Sequence, residues 1–147
     1  MGKYKYTKET LDIALDGLRS EDVAQRTKNA QFISMASRSE LFGKTCDTLG
    51  VQAWFLSLGN REKLIKVLYQ ETEEKLLWEY LLILYMVCQR YIDHGCYIKD
   101  FAKEIPCVEF KQRTYEVAKQ YAHYSSAIVR QISGSIIGYM GCLLYTS

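Results

Sequence analysis

The sequence predicts an all-α protein built from stacked helix pairs, and three observations carry that expectation. One proline occurs in 147 residues, which suits long helices better than a turn-rich β-sandwich. Apolar residues recur three and four positions apart in segment after segment, the period of a helix with one buried face. The run 76–88 is apolar nearly all round, the pattern of a helix covered on every side.

Taken in order, Thr7 is placed to cap a first helix that buries Leu11, Leu15 and Leu18, with Ile13 and Ala14 widening the face. Residues 17–20 end it. Ser20 is expected to cap a second helix, with Glu21 and Asp22 in its first turn and Val23, Ala30, Phe32, Ile33 and Ala36 as its apolar positions. Ser37 to Glu40 forms a capping-box pattern for a short third helix, stopped at Gly50. The stretch 51–58 is short and apolar, so its period does not separate strand from helix; its neighbours favour helix.

Gly59 and Asn60 read as a C-cap followed by an N-cap, opening a helix through Leu64, Ile65, Val67 and Leu68. A central helix is expected over 71–93, with Glu71, Glu73 and Glu74 at its positive end. Its apolar run, at 1.5 Å per residue, spans only about 20 Å, short of the roughly 30 Å of a bilayer core. A short helix is expected over 96–105, ending before Pro106. An amphipathic helix follows over 108–121, and then a last helix capped by Ser125 or Ser126, with Ile128, Val129, Ile132, Ile136 and Ile137 inward.

Composition bounds the function classes. Hydrophobic residues make up 48% and charged residues 24%, ordinary globular values that argue against disorder. The net charge is +2 with both signs interspersed, so the chain lacks the basic block of a dedicated nucleic-acid or membrane-surface protein. A patch assembled only in three dimensions stays open. Five cysteines, none in a C-x-x-C pair, and a polar N-terminus without an apolar leader core lead to the expectation of reduced thiols and a cytoplasmic protein. Gly2 invites a myristoylation check, but Tyr6 stands where that motif needs Ser or Thr.

A repeat is visible at long range. Three helices open alike: at Ser20, Glu21 and Asp22, at Thr72, Glu73 and Glu74, and at Ser125 and Ser126. Arg26, Trp78 and Arg130 fall at equal intervals of 52 positions, and Ala30, Leu82 and Gly134 keep the same spacing. The segment 125–138, with a polar cap, Val129, Arg130 and then small and aliphatic residues, resembles the inner helix of the HEAT/armadillo superfamily. Trp78 departs from that pattern at the arginine position. The resemblance implies a right-handed α-α superhelix of stacked helix pairs, truncated, forming one domain over 1–141 with units of about 7–50, 51–105 and 106–141. The last six residues, Cys142, Leu143, Leu144, Tyr145, Thr146 and Ser147, are similar to a translated sequencing-library adapter. That resemblance implies a non-native tail, with the natural chain continuing past Gly141.

No catalytic signature stands out. His94 and His123 are isolated from metal-ligand spacings, His94 beside Cys96 lacks the surroundings of a nucleophilic dyad, and no phosphate-loop, dinucleotide or nucleophile-elbow motif occurs. The expectation is a protein without enzymatic activity, cofactor or metal. Twelve tyrosines either fill the core or supply anchors on a concave face. Glu79 interrupts the buried run. Glu79, Tyr80, Arg113, Tyr121, Tyr124 and Arg130 are therefore the candidate partner-binding residues. The leading expectation is an interaction module that binds a protein partner on its concave helices. The alternative is nucleic-acid binding, for which HEAT-like DNA-alkylation repair proteins set an architectural precedent; basic residues interleaved with tyrosine would then grip phosphates.

Overall fold

The computed structural model describes residues 4–38, 46–93 and 107–146. Seven α-helices account for most of them: α1 Lys8–Gly17, α2 Val23–Ala36, α3 Thr48–Leu56, α4 Leu58–Gln70, α5 Glu74–Met86, α6 Cys107–Gln120 and α7 Ala127–Thr146. A π-helical segment, Val87–Asp93, prolongs α5. One isolated bridge joins Tyr6 to Cys46. The expected helices 38–49 and 96–105 fall largely or wholly outside the described residues.

The helices pair along the chain, α1 with α2, α4 with α5 and α6 with α7. The second members of these pairs also meet: α5 packs against α2 and against α7. This double contact explains the greasy run. Leu76, Leu77, Tyr80, Leu81, Ile83, Leu84, Val87 and Cys88 are all buried, because a helix with neighbours on several sides has almost no face left for water.

Local signals set most boundaries. Thr7 and Thr10 exchange reciprocal bonds at the start of α1, Thr10 N–H to Thr7 Oγ1 at 3.1 Å and Thr7 N–H to Thr10 Oγ1 at 2.9 Å, which satisfies two otherwise orphaned donors. Leu11, Ala14, Leu15 and Leu18 are buried as expected, but Ile13 is 70% exposed. Two residues from Leu11 is 200° round a helix, so Ile13 lies on the opposite side.

Four capping expectations are corrected. Asp22, not Ser20, caps α2 by accepting from Ala24 N–H at 3.0 Å; Ser20 accepts from Asp22 N–H at 3.1 Å and shapes the turn before it. Gly50 stops nothing, for it lies in the first turn of α3. The ambiguous stretch is helix through Leu56. Ser57 caps α4 through Asn60 N–H at 3.3 Å, so Gly59 and Asn60 lie inside the helix, and the Asn60 amide donates to Trp54 O at 3.0 Å. At α7, Ser126 O accepts from Arg130 N–H at 3.0 Å, yet its buried hydroxyl has no partner. The cap of α2 moves by two residues and that of α4 by three, less than one helical turn. α7 itself runs on to Thr146, through the segment that reads as foreign.

Candidate functional site

α2, α5 and α7 enclose a groove of ≈530 Å³. Val23, Thr27 and Gln31 line it from α2, spaced four apart and so stacked on one face. The first two turns of α5 supply Lys75, Leu76, Trp78 and Glu79, with Glu73 and Glu74 at its start; Ile128 closes the wall from α7. Trp78 and Glu79 are half-buried, while Glu73, Glu74 and Lys75 are exposed.

Among the described residues, no ion pair engages Glu73, Glu74, Glu79 or Lys75. Glu71, Glu62 and Glu109, by contrast, are committed. Glu71 takes both forks of Arg26, with Nε–Oε1 at 3.0 Å and Nη2–Oε2 at 3.1 Å. It also accepts from the Tyr80 hydroxyl at 3.0 Å and from the N–H groups of Thr72 and Glu73. Burial pushes the Glu71 carboxyl up, but these donors, Arg26 foremost, outweigh it and hold the group below the usual range. On the other side of the molecule Arg61 pairs with Glu109 at 2.7 Å and Glu62 at 2.7 Å, and Arg113 pairs with Glu62 at 3.2 Å.

The six residues singled out in the sequence do not converge. Glu79 lines the groove. Tyr80 is fully buried and gives its hydroxyl to Glu71; burial first, then the Glu71 charge, raises its pKa. Arg113 is held by Glu62 across α4 and α6. Tyr121 stacks between Tyr69 and Tyr124, with ring centroids 6.3 Å and 5.5 Å away, and its hydroxyl reaches Leu68 O at 3.4 Å. Burial, then the neighbouring Tyr69 and Tyr124, pushes Tyr121 up to about 12. Arg130 is exposed and binds the carbonyls of its own approach turn, Tyr124 O at 2.8 Å and Ser125 O at 2.9 Å.

Sequence reasoning noted Trp78 as a break in the repeat and overlooked it as a groove residue. Its signal was there: the one tryptophan of the helix, directly beside the Glu79 that interrupts the apolar run.

No group of three or more His, Cys, Asp or Glu side chains that could hold a metal ion occurs among the described residues. No helix among them is long and apolar enough to cross a membrane. The chain matches no protein-family model, and neither a curated protein nor a solved structure is detectably similar to it.

Proposed function

We propose that this chain is a module of a right-handed, HEAT-like α-α superhelix that binds a segment of a protein partner in the groove formed by α2, α5 and α7. The observation that carries this reading is the groove itself. It runs across the second helices of all three pairs and displays a half-buried tryptophan beside carboxylates that no ion pair engages among the described residues. A repeated helix–helix unit generates such a surface, because each second helix adds one row of side chains to a common face. Among the described residues, its acids lie along one wall with no histidine, cysteine or serine opposite them, unlike the convergent polar groups of a catalytic site.

The nucleic-acid alternative gains nothing from this face. Three carboxylates against one ammonium repel a phosphate backbone, whereas DNA binding needs several phosphates neutralised.

A photoreactive amino acid at Gln31 tests the proposal, with the same probe at Lys66 on α4 as the control position. Protein adducts at Gln31 that Trp78→Leu weakens are the expected result. Equal labelling at both positions, or nuclease-sensitive adducts at Gln31, overturns it.

A further inference from the structure

We infer that the occupant of the α2–α5–α7 groove is an extended, basic peptide segment whose arginine or lysine cation sits against Trp78, between Glu74 and Glu79. The inference rests on the groove reading above and adds the partner's chemistry.

Charge complementarity is the first support. The molecule is net positive at +2, yet this groove collects three carboxylates against one lysine. The positive end of α5 offsets only about half a charge, so the groove stays negative. Among the described residues no ion pair engages these carboxylates, and Glu73 alone of them feels the charge of Arg26. The acids on the far side of the fold, Glu62 and Glu109, are already neutralised by Arg61 and Arg113.

Shape is the second support. Val23 to Gln31 covers two turns of α2, about 12 Å at 1.5 Å per residue, the length of roughly four residues of extended chain.

The lining is the third. Val23 and Ile128 offer apolar surface to the methylene stem of a long cationic side chain. The Trp78 face attracts its charged head, and tryptophan is the strongest of the aromatic partners. Arginine is favoured over lysine, since its planar fork stacks on indole while bonding a carboxylate with two donors.

Fluorescence anisotropy on the whole chain provides the test, using fluorescein-labelled, acetylated hexapeptides that carry two arginines, two lysines, two glutamates or no charge. The arginine peptide is expected to bind best and to weaken as salt rises. Glu79→Gln and Trp78→Leu are each expected to reduce its affinity about two- to fivefold, the range of an exposed cation–π or charge contact. Glu62→Gln on the outer face should leave binding unchanged, and circular dichroism verifies that each variant is folded. Arginine-peptide binding that neither groove variant alters overturns the inference. Preferential binding of the acidic or neutral peptide, lost in Trp78→Leu, overturns the basic-partner chemistry but retains the groove as a peptide site. Failure of every peptide to bind removes both.

Discussion

Arg26 and Arg130 make the same pair of bonds in two different helices. In each, Nη1 donates to the carbonyls six and five residues upstream: Ser20 O at 3.0 Å and Glu21 O at 3.1 Å for Arg26, Tyr124 O and Ser125 O for Arg130. One guanidinium thus ties down the turn that leads into its own helix. The two differ in what the rest of the fork meets. Arg26 spends Nε and Nη2 on Glu71, in a pair whose side chains are 14% and 2% exposed, whereas Arg130 is exposed and faces no carboxylate among the described residues.

That difference sets an order of stabilities. Arg26→Ala should cost about 3 kcal/mol, because it strands a buried carboxylate. Arg130→Ala should cost about 1 kcal/mol, the value of hydrogen bonds to exposed carbonyls. Urea denaturation of both variants measures the gap; equal costs would show that the Glu71 pair contributes nothing. A double-mutant cycle of Arg26→Ala with Glu71→Ala should return a coupling of about 2 kcal/mol.

The same carboxylate makes the fold acid-sensitive. The folded-state pKa values of Glu71 and Glu62 lie below their ordinary values. In Glu62, burial raises it and the Arg113 and Arg61 contacts more than compensate. Below the unfolded carboxylate value, about 4.3, the unfolded chain therefore binds more protons than the native one. The stability these groups contribute is present above that value and is lost as pH falls through the lower, folded one. Thermal melts from pH 7 to pH 3 should show a falling acid limb, shallower in Glu71→Gln. An unchanged limb in that variant would assign acid unfolding to other groups.

Arg61 and Glu109 form an unequal pair. The Arg61 side chain is 5% exposed and lies 5.1 Å from the Phe110 ring centroid, whereas Glu109 is 48% exposed. Arg61→Ala loses packing, a cation–π contact and two carboxylate partners, about 2–3 kcal/mol in all. Glu109→Ala loses one screened partner and should stay below about 1 kcal/mol. Reversal of that order in chemical denaturation would place the energy in the exposed ion pair instead.

Gly134 and Gly138 weaken α7 without visible return. A methyl group built on either meets nothing within 4 Å. Alanine at each site should therefore stabilise the chain by about 0.5–1 kcal/mol through lower unfolded-state entropy, raising the melting temperature by a few degrees. Gly17→Ala behaves differently, because its methyl group collides with the Asn29 side chain, whose amide bonds Gln25 O at 2.8 Å. That variant should gain nothing or lose stability.

The sequence by itself determined what short-range chemistry controls. Periodicity placed the helices, the Thr7 cap started α1, and the unbroken apolar run marked α5 as the element covered by its neighbours. The interval linking Arg26 to Arg130 was legible too, since both arginines answer to the turn immediately before them. Tertiary structure alone decided the rest. Glu71 looked like a helix-start carboxylate until Arg26 met it from α2. Arg61 is buried because the Phe110 ring of α6 covers it, and Tyr80 and Tyr121 are core residues rather than surface anchors. The groove depends on how α2, α5 and α7 are rotated about their axes. A periodic pattern gives each helix an inside and an outside; which neighbour covers the inside, and which charges remain unpaired between helices, is settled only when the helices pack.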